Sequence, residues 1–380
     1  MGLPRNSYVR EGQEGVYHCF SRCVRRAFLC GFDVLTHRDF SHSKAWLVDR
    51  LQYLAAIFAI EVCAYAVMEN HYHTILRTRP DIVATWSDRE VATRWLTLFP
   101  THHGIGGAAM PPVEGEISAL ADCPERIALL RQRLSSLSWF MGRLNEFIAR
   151  AANKEDMVKG RFWEARFKCQ ALLDQAAIAA CMVYVDLNPI RAGLAGTPEA
   201  SDFTSIQERI RAWQKETICA SSVDSEAPQN TQSDSFGTDM RVPDDAAEIP
   251  NPVPQRTPAM SYPLDVRSAC WLCPIQSDSE RRGILQMTTA EYFDLLDRSG
   301  RMTRSDKRGV IDANLLPILL RIGANPDAWL ETISRFGSSF RLAAGLVSNL
   351  RSFADQLGRR WLKGVATARA AFASSSPQLA

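Results

Sequence analysis

The stretch Ala66-Val67-Met68-Glu69-Asn70-His71-Tyr72-His73-Thr74-Ile75-Leu76 decides how this chain is read. Its two halves are rich in β-formers, and Glu69-Asn70 sits between them as turn residues do. The pattern predicts two strands, about Ile60 to Met68 and Tyr72 to Arg77, joined by a tight turn. On a strand, residues two apart share a face. His71 and His73 therefore project side by side, and Tyr72 projects the other way. Two imidazoles on one rigid face make half of a divalent-metal site. A pair of surface histidines is the alternative that the spacing leaves open.

The second half of such a site stands at Tyr184-Val185-Asp186-Leu187-Asn188-Pro189. Leu172 to Leu187 has helix-forming composition, and Pro189 stops it, because proline disfavours helix at the residue before it. Tyr184 and Asn188 are four apart and share one helix face. An amide oxygen can complete a site begun by two histidines, and oxygen ligands suit Mg²⁺ and Mn²⁺. A tyrosine one turn away can attack a phosphorus whose oxygens a metal polarises. For this motif in isolation, a core tyrosine and an Asn-Pro helix stop are the favoured account.

Val67-Met68-Glu69-Asn70-His71-Tyr72-His73 and Tyr184 to Gly193 resemble the two signature motifs of the single-tyrosine HUH transposases, above all the REP-associated tyrosine transposases. Tyr17-His18-Cys19-Phe20-Ser21-Arg22-Cys23 resembles the first strand of that family, and Gly160 to Lys168 the strand that feeds its tyrosine helix. The four motifs occur in the family's order and cover roughly residues 10 to 210. The resemblance implies a ferredoxin-like sheet, a Mg²⁺ or Mn²⁺ ion held by His71, His73 and Asn188, and Tyr184 as nucleophile. It implies single-stranded or hairpin DNA as substrate, a 5′-phosphotyrosine intermediate, folded-back palindromic repeats as targets, and a homodimer. Two positions depart from the pattern. Tyr72 stands where the family has an aliphatic residue, and Glu69 where proline is common. Tyr72 brings a second phenol near the histidines, so the choice of nucleophile is not automatic.

The order strand–helix–strand–strand–helix–strand–helix fits an α+β fold, an antiparallel sheet with helices on one face. Ser43 to Ile60 is a predicted amphipathic helix, Ile117 to Asn153 a long helix broken near Pro124, and Phe162 to Leu172 a strand. Residues 79–116, rich in proline and glycine, read as an insertion. The transposase-like domain spans 1–210.

In Arg161-Phe162-Trp163-Glu164-Ala165-Arg166-Phe167-Lys168, aromatic and basic residues interleave, as they do where bases stack and cations follow phosphates. Arg161, Arg166 and Lys168 are candidate phosphate contacts and Trp163 a candidate stacking platform. A core role for the aromatics is the competing reading. Arg22, clustered with Arg25 and Arg26, and Arg191, just past the helix stop, are further candidates. For Arg191 the alternative is a charge that complements the helix dipole.

The chain has 380 residues, 46% of them apolar and 23% charged, with a net charge of +2, ordinary values for a globular protein. So weak a net charge does not announce a nucleic-acid binder, but a phosphate track needs only local charge. No apolar run is long enough for a membrane span, and no signal peptide opens the chain. The ten cysteines are irregularly spaced and predict reduced thiols in a cytoplasmic, nucleoid-associated protein. Cys270-Trp271-Leu272-Cys273 is a lone CxxC without the second pair that a zinc ribbon needs. Residues 216–262, rich in Ser, Asp, Pro, Gln and Thr, predict a disordered linker. Residues 263–380 predict an all-helical accessory domain, with a basic turn at Ser305–Gly309, a helix over Leu315 to Ile322 and a last helix over Phe340 to Ala368, whose basic helix faces meet either DNA or solvent. No P-loop or other nucleotide fingerprint occurs. Three readings remain: a nicking and joining enzyme, a DNA- or RNA-binding protein of that fold without turnover, and a phosphodiesterase in which water attacks.

Overall fold

A computed structural model of the protein describes residues 4–24, 32–33, 37–223, 271–302, 319 and 324–372. The hairpin lies at one side of a five-stranded sheet built from β1 (Gly15–Arg22), β2 (Ile60–Val67), β3 (His71–Thr78), β4 (Lys168–Leu172) and β5 (Ala343–Ala344). The strand order is β2-β3-β1-β4-β5. β1 runs antiparallel to both β3 and β4, while β5 joins β4 in parallel, so the sheet is mixed. Register places Phe20 opposite His73, Arg22 opposite His71 and His18 opposite Gln170.

Helices cover both faces of this sheet, not one. Tyr72 is buried, and its hydroxyl donates to Asn145 Oδ1 at 2.7 Å on α6 (Leu137–Glu155). That face also carries α1 (Ser43–Ile57), which packs against α6. On the opposite face, His73 meets Tyr184 of α7 (Gln175–Asp186), with ring centroids 5.6 Å apart. The reason lies in β3, which is buried at every position from Tyr72 to Thr78. A strand buried on both sides must be covered on both sides. α1 buries Leu47, Leu51, Leu54 and Ile57, and α6 buries Phe140, Met141, Leu144 and Ile148. Each such side chain is worth roughly 1.5–3 kcal/mol of transfer free energy.

Other expectations change in detail. The broken helix over 117–153 is three helices, α4 (Glu114–Ala121), α5 (Pro124–Leu134) and α6. Pro124 starts α5 in the first turn, where its missing N–H costs nothing. The segment 79–116 holds α2 (Pro80–Thr85) and α3 (Asp88–Leu98), and Ser87 caps α3 by accepting from the Glu90 amide at 3.1 Å. The strand expected from Phe162 begins only at Lys168; Phe162 is buried in the preceding loop, its carbonyl accepting from Val24 N. Pro189 ends α7 but also lies in the first turn of a short α8 (Asn188–Arg191).

The C-terminal block is not all-helical. It supplies β5, and Cys273 N donates to Val62 O at 2.9 Å on the far edge of the sheet. β5 thereby covers part of the β4 edge, and the Cys273 bond covers part of the β2 edge, which shortens the strand edge left for wrong association. Its helices are α10 (Thr289–Met302), α11 (Pro326–Ser339), α12 (Val347–Gln356) and α13 (Val365–Ala371). Gly358 (φ 63°) and Gly364 (φ 113°) interrupt the single last helix expected there. Asp174 locks this block to α7: it caps the helix through Ala177 N and accepts from Leu346 N and Asn349 Nδ2. α9 (Ser205–Val223) runs through the first residues of the expected linker. The rest of that linker, the Ser305–Gly309 turn, Arg25, Arg26, Cys270 and all of Leu315–Ile322 except Leu319 lie outside the described residues. No helix among the described residues is long and apolar enough to cross a membrane, and the described cysteines are free thiols.

Candidate active site

Pairing β1 with β3 puts three histidines together. His18 Nε2 lies 2.9 Å from His73 Nδ1, and His18 Nδ1 lies 3.4 Å from Gln170 Oε1 on β4. His71 stands edge-on to His73, ring centroids 5.0 Å apart, with its Nδ1 2.6 Å from Asn70 Oδ1. Tyr184 presents its ring to His18 and His73 at 6.0 and 5.6 Å. His18, His71, His73, Tyr184 and Asn188 line a cavity of about 620 Å³. Its rim carries Arg22, Arg166, Lys168, Arg191 and Arg335 against a single carboxylate, Glu164. So basic a rim attracts phosphate groups.

Burial sets the protonation of the site. It is the main cause that pushes His18 and His71 down to about 4, and the Arg22 charge adds to it at His71. His73 falls well below the usual value, first by burial and then by the nearby His18, His71 and Arg22. All three rings are therefore neutral near pH 7 and have lone pairs to offer. His73 Nε2 and Asn188 Nδ2 are buried without a hydrogen-bond partner. Leaving a polar atom so costs about 1–3 kcal/mol, and such atoms commonly mark the place of a ligand. Among the described residues no three His, Cys, Asp or Glu side chains form a metal site. Among the cavity-lining residues, His71, His73 and the amide oxygen of Asn188 are the groups that could hold a divalent ion.

Tyr184 is half-buried. Burial, then Cys181, raises its pKa above the ordinary 10; Arg191 and Asn188 pull it down without cancelling the rise. The chain's own groups therefore keep the phenol protonated, and attack as phenolate needs further positive charge beside it. The C-terminal block forms one wall. Phe336 stacks on Tyr184 at 6.0 Å, and a Cβ on Gly337 would stand 2.9 Å from the Tyr184 hydroxyl. Arg191 donates to Ile333 O at 3.0 Å and to Ser334 O, tying α8 to α11.

The structure gathers Tyr184, His71, His73, Asn188, Arg22, Arg166, Lys168 and Arg191 around one cavity. Arg161 and Trp163 are not among its lining residues. Arg161 is exposed and donates to Glu164 O at 3.3 Å. Trp163 donates its indole N–H to Asn145 O at 2.9 Å and packs edge-on against Tyr72, on the far face of the sheet. Sequence reasoning missed His18, Gln170 and the α11 wall. The strand parity of His18 with Phe20 was a usable signal. No local pattern ties Gly337 to a tyrosine 153 residues earlier (337 − 184).

No family model and no curated protein matches the chain. Among solved structures, a REP-associated tyrosine transposase bound to a REP hairpin aligns over 64% of this chain and 99% of its own, at 12% identity and a TM-score of 0.31. A similarity that weak decides nothing about the site, whose reading rests on its own residues.

Proposed function

We propose that the protein is a metal-dependent HUH-type tyrosine transposase that nicks and rejoins single-stranded or hairpin DNA. The observation that carries this reading is Tyr184 set beside two neutral histidines, with the unpartnered His73 Nε2 and with Asn188 sharing its basic-rimmed cavity. In this reading β2-β3-β1-β4 with α1 and α6 is a ferredoxin-like core, to which α7 and β5 are added.

Arg22, Arg166 and Lys168 hold the phosphates of the strand. Tyr184 Oη attacks phosphorus in line, the P–O3′ bond breaks, and the 3′ oxygen takes up a proton as the phenol gives one up. The product is a 5′-phosphotyrosine and a free 3′-hydroxyl. That ester keeps the bond energy, so a 3′-hydroxyl can reverse the step and rejoin DNA without a nucleotide. His71, His73 and Asn188 would hold a Mg²⁺ or Mn²⁺ ion, which would supply charge neutralisation at the phosphate and lower the pKa of the phenol.

The test is a labelled single-stranded hairpin oligonucleotide incubated with the protein and Mn²⁺ or Mg²⁺, run on a denaturing gel. A metal-dependent covalent adduct in wild type that disappears in Tyr184→Phe supports the reading. Cleavage that survives Tyr184→Phe points to attack by water. Binding on a native gel, with no adduct across several hairpins, leaves a DNA-binding protein without turnover.

A further inference from the structure

We propose that His18 and Gln170 are positioning residues that fix the tautomer of His73, so that its Nε2 lone pair faces the cavity, and that Asn70 does the same for His71. A neutral imidazole carries one N–H and one lone pair, and the partner of one nitrogen decides which is which. Gln170 Oε1 only accepts, so the His18 nitrogen facing it, Nδ1, carries the proton. That leaves His18 Nε2 as an acceptor, and the 2.9 Å contact then requires His73 Nδ1 to donate. His73 Nε2, the buried nitrogen with no partner, is therefore a lone pair. Asn70 Oδ1 likewise accepts from His71 Nδ1 at 2.6 Å and leaves its Nε2 free.

The relay crosses three strands. Gln170 stands opposite His18 in the register of β1 with β4, and all three side chains are almost fully buried. Buried polar groups with one satisfied arrangement hold a ring more firmly than exposed ones. Outer partners of this kind commonly alter metal affinity by 10–100-fold when removed. The inference rests on the metal-site reading above, and its test separates the two.

The experiment uses the full chain labelled with ¹⁵N-histidine, with His73 assigned through a His73→Gln variant. The metal-free protein should show His73 protonated at Nδ1 and bare at Nε2. His18→Leu should give a mixture of the two His73 tautomers and weaken Mn²⁺ binding by about 10–100-fold, read by titration calorimetry. His18→Gln retains an acceptor, and Gln170→Glu retains the acceptor for His18 Nδ1; both should keep the tautomer and affinity within a few-fold. A wild-type His73 protonated at Nε2 overturns the proposal, as does a His18→Leu variant with unchanged tautomer and affinity. Wild-type protein with the stated tautomer and Mn²⁺ affinity but no DNA adduct upholds the relay and sinks the transposase reading alone.

Discussion

Tyr72 and Tyr184 flank the same strand and share little else. Tyr72 is fully buried on the α1–α6 face, donates to Asn145 and has Trp163 edge-on against its ring. Tyr184 lies on the other face, half-buried, against two histidines and an open cavity. Burial raises the pKa of both phenols. What differs is the company: Tyr72 has a satisfied hydroxyl and no space in front of it, while Tyr184 has space, a basic rim and unpartnered polar atoms. One residue of strand parity separates Tyr72, bonded to Asn145 on α6, from His73, which faces Tyr184. Tyr184→Phe should abolish adduct formation outright. Tyr72→Phe should leave the adduct and cost about 1–2 kcal/mol of stability, because Asn145 Oδ1 loses its donor. Adduct yield and urea midpoints for the two variants check this, and loss of adduct in Tyr72→Phe would break the comparison.

The same contrast runs along α7. Two residues past Tyr184, Asp186 is wholly buried on the packed side, accepting from Ser205 Oγ at 2.6 Å and Tyr292 Oη at 2.5 Å. Burial lifts its pKa from 3.8 to about 6, although Ser205, Tyr292 and Arg209 pull it down. A raised carboxyl contributes stability that is complete below its unfolded pKa and lost as pH rises through the folded one. Two units correspond to about 3 kcal/mol. The buried histidines, with lowered pKa values, act in the opposite direction as pH falls from 6.5, so the wild-type curve alone does not isolate Asp186. The difference between wild type and Asp186→Asn does. The variant should gain up to about 3 kcal/mol relative to wild type as pH rises from 4 to 7. Parallel stability curves would show that this carboxyl does not titrate in that window.

On the open side, the lack of a side chain at Gly337 leaves room for the Tyr184 hydroxyl. Gly337→Ala places a methyl 2.9 Å from that hydroxyl, closer than real Cβ contacts come, so either the ring or α11 must shift. In-line attack tolerates little displacement, and a tenfold slower adduct step, about 1.4 kcal/mol, is expected with hairpin affinity unchanged. Single-turnover kinetics and a binding titration separate the two quantities. An unchanged rate would mean that the C-terminal wall is no part of the site.

How far the sequence could be read follows from the range of the signals. The hairpin and the Pro189 stop are local, and each appears close to where the residues predict it. The two-sided cover was hidden because β3 mixes polar and apolar types, His73 and Arg77 included, at positions that are all buried. Trp163 read as a candidate stacking platform because aromatic and basic residues interleave there, but the segment is loop and its indole packs behind the sheet. The C-terminal block read as helices alone because Ala343–Ala344 is a strand by pairing, not by propensity. His18 joins the site only through the β1–β3 register, which no single segment encodes.

The smallest effect separates the rim from the packed face. Lys168 is exposed at the cavity rim, its ammonium 5.5 Å from the Phe20 ring centroid. Trp163 is only five residues earlier but packs behind the sheet. If Lys168 follows a phosphate, Lys168→Ala should weaken hairpin binding by about the same factor for every sequence. It should also flatten the slope of log affinity against log salt by roughly 0.7–1. Trp163→Ala should lower stability, through the lost indole bond to Asn145 O and the lost contact with Tyr72, and leave the salt slope as it was. Fluorescence anisotropy at several salt concentrations reads both. The reverse pattern, a slope insensitive to Lys168 and affinity carried by Trp163, would move the DNA track from the histidine face to the far side of the sheet. Tyr184 would then be a core residue beside an unrelated cavity.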